Sequence, residues 1–363
     1  MYKNLIGTAL AGLLTGAALP AQAQSATPAD SPLKIGFVYV SPVGQAGWTF
    51  QHDQGRREME RALGERIQTT AVESVPEGPD AERVMRDLAA QGHRLIFATS
   101  FGYLEPALRV AAEFPQVTFE HAGGYKTAAN LNTYNARYYE ARWLAGWLAG
   151  KVSKSGVAGY VAGFPVPEVI QGINAFTLGM RQANPSAQVR VLWLNTWFDP
   201  PRERDAARAL IGQGADVLTN HSASPAVAQA AEEGGVKLLA YHSDMRATAP
   251  RAQLAAVTHH WGGYYTQVAQ AVLRGTWRPR PIWGGIKDGL VQLSAIDPAL
   301  PADVLAGLEQ RRSAIVSGRA QPFEGRLVDQ QGRVRQAAGR MSDEQIATMD
   351  WFVQGVVGTP PRP

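Results

Sequence analysis

From Leu33 onward the chain alternates short apolar runs with longer stretches whose apolar residues recur at helical spacing, and no other feature restricts its fold so sharply. KIGFVYV (34–40) precedes a helical stretch at about 49–63, IQTTAVESV precedes PDAERVMRDLAAQG, RLIFATS precedes LEPALRVAAEF, and QVTFEHAG closes the set near residue 130. Short continuous apolar runs between helical patterns read as strands buried on both faces and joined in parallel through crossovers. After NLNTYNAR the alternation restarts with YYEARWLAGWLAGKV and GVAGYVAG and runs to VKLLAYH (236–242). Two halves alike in plan predict an α/β chain of two lobes, each a parallel sheet flanked by helices. AAVTHHWGGYYTQVAQAVLRGTW is a strand and helix too many for the second lobe, so it is expected to return to the first, and a third crossing leads into IWGGIKDGLVQLS. Lobe 1 is thus predicted at 33–132 plus 258–278 and lobe 2 at 133–257 plus 279–350, with a three-strand hinge. The cleft between two such lobes, at the strand ends, is where a small molecule is expected.

The first residues, MYKNLIGTALAGLLTGAALPAQAQ, have one early charge, an apolar run and the small-residue pattern Ala21-Gln22-Ala23. This reads as a secretory signal peptide over residues 1–23, cleaved after Ala23, rather than a membrane span. The chain has no cysteine, which excludes disulfides, thiol catalysis, cysteine-held metals and a lipid-modified cysteine at the cleavage site. An exported chain of this kind relies on its core, and about 340 mature residues suffice for two lobes. Its formal charge is +4, and the basic residues are interleaved with acids in RREMERALGER and DPPRERDAARAL. These are solvated helix faces, so no nucleic-acid partner is expected.

Enzyme signatures are absent: there is no G-x-S-x-G elbow, no G-x-G-x-x-G and no G-x-x-x-x-G-K-[ST]. His259 and His260 are adjacent, with His242 nearby. Neighbours on a strand point to opposite faces, which makes a poor metal site, and neither metal nor cofactor is expected. Glu105, Glu168, Asp199 and Asp244 are the carboxylates that a cleft would draw on. In a receptor such groups accept hydrogen bonds from ligand N–H or hydroxyl groups. Asp199 followed by Pro200 also reads as a helix N-cap, and Glu168 also suits a helix N-terminus.

Two aromatic stretches stand out. Trp48 and Phe50 follow the first strand in SPVGQAGWTFQHDQGRREMERAL, and Trp197 and Phe198 follow a later one in WLNTWFDPPRERD. One tryptophan on each lobe at a strand exit permits a planar ligand to be stacked from both sides. The plainer alternative is that the rings only pin helix to sheet. Such stacking is worth about 1–3 kcal/mol per face.

GWTFQHDQGRRE after strand one, TSFG after strand three, YYEARWLAGWLAGK at the lobe crossing, GFPVPEVIQGINAFTLGMRQANP, NTWFDPPRERDAA and WGGIKDGLV together resemble the basic membrane protein family. These are substrate-binding proteins of ABC importers related to purine nucleoside receptors, and the likeness runs from about residue 33 past 290. The resemblance implies a two-lobe periplasmic-binding-protein fold (type I). It implies a periplasmic monomer that passes a purine to an ABC permease in the inner membrane and does no catalysis. In this family two aromatic rings hold the purine, and by motif position they are Trp48 and Trp197 here. Indoles in both places leave less room and favour a bare nucleobase over a nucleoside. Where relatives that read guanosine or inosine carry an acid upstream of the first ring, this chain has Gln45. An amide both donates and accepts, as in bidentate adenine recognition, so adenine leads and oxopurines follow. The family's ribose-contacting aspartate motif reads Ala-Tyr-His-Ser-Asp, with His242 in place of one acid and Asp244 in place of the other, and its lysine has become His259 or His260. The expected site is therefore Trp48, Trp197, Gln45, Phe101, Glu168, Asn195 and Asp244. The alternatives are a purine nucleoside receptor and a periplasmic nucleoside-processing enzyme on the same scaffold.

Overall fold

Strand β1 (Leu33–Val38) is buried at every position but Lys34, as a strand covered by helices on both faces must be. It enters helix α1 (Trp48–Leu63), whose first turn already contains Trp48 and Phe50. The two aromatics thus belong to the helix start and not to a loop before it. The described residues of this computed structural model are 31–360, so the signal peptide expected at 1–23 lies outside them. Two further βα steps follow, β2 (Ile67–Val72) with α2 (Pro79–Ala90) and β3 (Leu95–Ala98) with α3 (Leu104–Glu113), and then the strands β4 (Thr118–Ala122) and β5 (Leu131–Ala136) with no helix between them.

The second series contains α4 (Tyr138–Val152), β6 (Val157–Ala162), α5 (Pro167–Ala183), β7 (Gln188–Trp193), α6 (Pro200–Gly212), β8 (Val217–His221), α7 (Ala226–Gly234), β9 (Lys237–His242) and β10 (Gln253–His259). Then come α8 (Gly262–Leu273), β11 (Ile282–Gly284), β12 (Val291–Ser294) and α9 (Ala302–Val316). The remainder has a small hairpin, β13 (Leu327–Val328) with β14 (Val334–Gln336), then α10 (Asp343–Ala347) and β15 (Val356–Val357). One sheet has the order β11-β5-β4-β3-β1-β2 and the other β12-β10-β9-β8-β6-β7-β15. Every pairing in the first is parallel. In the second only β12, against β10, is antiparallel.

The chain passes between sheets three times, at 136–138, 259–262 and 284–291. Two details differ from the sequence expectation. β10, beginning before residue 258, ends within the second sheet, and only the helix α8 returns to pack on α1. β11 lies in the first sheet beside β5, although 279 onward was expected in the second lobe. A three-residue strand carries too little pattern to assign; its parallel register with Tyr134–Ala136 decides its place.

α4 is apolar on nearly all sides, which marks a helix enclosed by protein. It meets α5 so closely that a Cβ on Gly146 would overlap the backbone carbonyl of Phe176. Behind it Arg142 is fully buried, its guanidinium 3.4 Å from the centre of the Tyr241 ring and bonded to Thr219 Oγ1 and the Asn220 carbonyl. This pair forms the backing of the second sheet below the cleft.

Candidate functional site

Between the C-terminal strand ends of the two sheets lies a cavity. The first sheet contributes Val40 after β1, Ser100 and Phe101 after β3, and Ala122 and Gly123 at the end of β4. From the second come His221, Ser222 and Ala223 at the end of β8 and His242 at the end of β9, with Val166 and Glu168 at the start of α5. Trp48 and Trp197, one from each half, complete the lining. A parallel sheet puts the turns after its strands at one edge, which is why residues so distant in sequence meet there.

Each indole is held by its N–H and by a perpendicular neighbour. Trp48 Nε1 donates to the Thr99 carbonyl at 2.7 Å, and its ring meets His52 at 4.3 Å and 62°. Trp197 Nε1 donates to Glu77 Oε1 at 3.1 Å, and its ring stands at 69° to Phe164, 5.0 Å away. Gly163 makes room for it, since a Cβ there would lie 2.7 Å from the indole. Large rings pinned in this way lose little further freedom on stacking against a ligand.

The polar lining is small. Glu168 accepts from Asn135 Nδ2 at 2.9 Å, and its other oxygen lies 3.5 Å from His221 Nε2. The Ser100 hydroxyl is committed to Glu77 at 2.6 Å and that of Ser222 to Glu203 at 2.7 Å. His242 Nδ1 is 3.0 Å from His259 Nε2, and His259 Nδ1 receives the Trp261 indole N–H at 2.8 Å. Burial, and then the charge that His259 would carry, hold His242 well below the ordinary histidine range. Burial, followed by His52, does the same to His259. His221 is also lowered by burial, against the opposing pull of Glu168. These rings are therefore uncharged at neutral pH.

Three hydrogen bonds span the cleft. Besides Trp197 to Glu77 and Asn135 to Glu168, the Gly47 amide at the start of α1 donates to Ser243 Oγ at 2.8 Å. Glu77 also takes the Gly102 amide at 2.8 Å, so one carboxylate ties the turn before α2, the end of β3 and the opposite lobe together.

Of the residues singled out by sequence, Trp48, Trp197, Phe101 and Glu168 line this one cavity. Gln45, Asn195 and Asp244 do not. Gln45 is exposed on the loop before α1. Asn195 is exposed with φ 54°, turned outward where the chain leaves β7. Asp244 is exposed and forks onto Arg246 at 2.5 and 2.9 Å, with Gln253 Nε2 at 2.8 Å. The turn begins at His242, whose φ of 73° aims its ring into the cleft and carries the residue two further on to the surface. His221 and His242, with Ser100 and Ser222 beside them in the lining and Glu77 behind it, are polar groups that sequence reading left out of the site. The first two had a signal, since LTNH and LAYH each end a buried strand on a histidine. Asp199 is the N-cap of α6, accepting from the Arg202 amide at 3.1 Å, and Glu105 pairs with Lys126 away from the cavity. His259 is buried behind His242 while His260 is exposed.

Residues 33–319 match the family described as ABC transporter substrate-binding protein PnrA-like. The chain is 48% identical over 329 residues to a purine-binding protein of Brucella abortus, covering 90% of this chain and 94% of that one. It is 34% identical over 325 residues to a Haloferax volcanii protein named as a candidate ABC transporter glucose-binding protein, over 90% of this chain and 80% of that one. Among solved structures, an ABC transporter solute-binding protein of Aeropyrum pernix superposes with a TM-score of 0.69 at 17% identity, over 80% of this chain and 93% of that one. One from Conexibacter woesei does so with 0.64 at 21% identity, over 80% and 98%. The strand order, the cleft and these likenesses together place the chain in the PnrA-like (Bmp) family of ABC transporter substrate-binding proteins.

Proposed function

We propose that this protein is the periplasmic receptor of an ABC importer for a purine base, adenine foremost, held between Trp48 and Trp197. The observation that carries the reading is the meeting of these two pinned indoles, one from each lobe, in a single cavity. Phe101 forms a side wall and Glu168 accepts a ligand N–H. Gln45 has no part in it, being exposed outside the cavity. Adenine is favoured on different grounds: the serine hydroxyls at the wall are already donated to Glu77 and Glu203. An oxopurine would bring carbonyl oxygens that these hydroxyls cannot serve, and an unpaired buried acceptor costs about 1–3 kcal/mol.

The Brucella relative named as purine-binding supports the ligand class. The ligand stabilises the closed lobes by contacts present only when they meet, and the closed form docks, as a monomer, on a permease in the inner membrane. Among the described residues no helix is long and apolar enough to cross a membrane. The ligand leaves unchanged.

The test is a thermal-shift panel on protein refolded to remove copurified ligand, with adenine, guanine, hypoxanthine, xanthine, their nucleosides and glucose. Adenine at about 100 times its Kd adds about 2.7 kcal/mol of stability and should give the largest shift. Stabilisation by glucose with none by any purine refutes the proposal. A larger shift from adenosine than from adenine overturns the base-over-nucleoside part alone.

A further inference from the structure

We propose that His242 Nε2–H is the donor that reads one unprotonated ring nitrogen of the bound purine, and that Trp261 and His259 set its tautomer from behind. This rests on the purine reading of the cleft and goes beyond it by naming the ligand atom type on which recognition turns.

The argument runs from the buried end of the relay outward. An indole nitrogen donates and never accepts. Trp261, 1% exposed, directs its N–H at His259 Nδ1 at 2.8 Å, so that nitrogen holds a lone pair. The proton of a neutral His259 ring is then on Nε2, 3.0 Å from His242 Nδ1. His242 Nδ1 must accept it, and the His242 proton is left on Nε2, on the far side of the ring from His259. Placing the proton on the other nitrogen of either ring would set two lone pairs or two N–H groups against each other in a site where both histidines are buried.

His242 belongs to the cavity lining. Among the described residues the hydrogen bond of the His242 side chain is the one its Nδ1 shares with His259, which leaves Nε2–H for a ligand. His242 is also held at φ 73°, an uncommon conformation for a residue that is not glycine, and one that clusters where geometry serves a ligand. The cavity thus presents a fixed donor, while the Glu168 carboxylate presents an acceptor. A molecule that offers both an N–H and a bare ring nitrogen satisfies the two together, and adenine has such pairs on its edges. Trp261 and His259 are not themselves part of the cavity lining and act as positioning residues.

The experiment measures Kd for adenine and for 1-deaza-, 3-deaza- and 7-deazaadenine, each lacking one ring nitrogen, by titration calorimetry. With the unaltered protein one analogue should bind at least tenfold more weakly than adenine. That difference should shrink to within about twofold in His242→Phe. It should survive in His259→Gln, whose amide can donate to His242 from nearly the same position, and be lost in Trp261→Phe. Nitrogen-15 spectra of the unaltered protein should show His242 as the Nε2–H tautomer, a readout that does not depend on any variant folding. Equal binding of all three analogues, analogue discrimination unchanged in His242→Phe, or an Nδ1–H tautomer at His242 each overturn the inference while leaving purine binding intact. Failure of adenine and every analogue to bind overturns the purine reading instead, and the inference with it.

Discussion

Gly47 is the point at which the first lobe comes closest to the second without a side chain, and adding one methyl group there separates closure from folding. A Cβ on Gly47 would lie 3.0 Å from the Ala223 carbonyl carbon and closer still to its oxygen. Ala223 follows β8 in the opposite lobe, so the overlap exists only when the lobes meet. To relieve it they must part by roughly an ångström, which takes the Gly47–Ser243, Trp197–Glu77 and Asn135–Glu168 bonds, now 2.8, 3.1 and 2.9 Å, out of hydrogen-bond range. At about 1 kcal/mol net for each bond, the closed form loses about 3 kcal/mol, or roughly a hundredfold in Kd. Gly47 also has φ 103° and ψ −167°, a region nearly restricted to glycine, so Gly47→Ala costs a further 1–3 kcal/mol or so in either form. That part lowers Tm and not affinity.

Gly64→Ala is the matched control. Its φ is 55° and nothing lies within 4 Å of where a Cβ would be, so it adds backbone strain without touching the cleft. Calorimetric titration with adenine should give a Kd for Gly47→Ala about a hundred times that of the unaltered protein and an unchanged Kd for Gly64→Ala, while both melt at lower temperature. A Gly47→Ala protein that binds adenine within threefold of the unaltered one would refute the closed-cleft geometry from which this is worked.

Removing either ring, in Trp48→Ala or Trp197→Ala, should cost about 1–3 kcal/mol of adenine binding, or roughly 5- to 150-fold in Kd. Trp48→Phe and Trp197→Phe should each recover part of it, since each keeps a ring but loses its indole N–H bond, to Thr99 and to Glu77 respectively; Kd values equal to that of the unaltered protein in all four variants would remove the sandwich. Acid should destabilise the fold. His52 and His121 are each lowered to about 3 by burial, so their stabilisation is complete above the unfolded value near 6.5 and is lost as pH falls toward 3, at about 1.4 kcal/mol per pH unit each. Glu120, raised to about 7 by burial, acts in the opposite direction between its unfolded value near 4.5 and 7, binding a proton in the folded state. It offsets one of the two histidines, so these three groups leave a net loss of about 3 kcal/mol between pH 6.5 and 4.5, to which His242 and His259, also lowered by burial, add. Urea unfolding at the two pH values measures this, and equal stability at both would show that these groups are not buried as described. Glu120→Gln removes the offset and should steepen the acid loss over the same window.

Sequence alone carried the alternation of apolar runs and amphipathic stretches, and hence the paired parallel sheets, because periodicity is a local property that burial on both strand faces imposes on every residue of the run. It also carried the two aromatic positions, since Trp48 and Trp197 each follow a strand and everything that follows a strand in a parallel sheet reaches the same edge. Tertiary structure decided the polar part of the site. Whether a residue one or two places past a strand end faces the cleft depends on a single backbone turn, as at His242, where φ of 73° brings one side chain in and sends Asp244 out to Arg246. The company of His242 was equally out of reach of the sequence: His259 lies on the next strand and Trp261 at the following helix start, and only the parallel register of β9 with β10 sets the two imidazoles 3.0 Å apart. The edge strand β11 was lost for a related reason. Three residues are too few to show a period, and their place in the first sheet comes from partners almost 150 positions earlier in the chain.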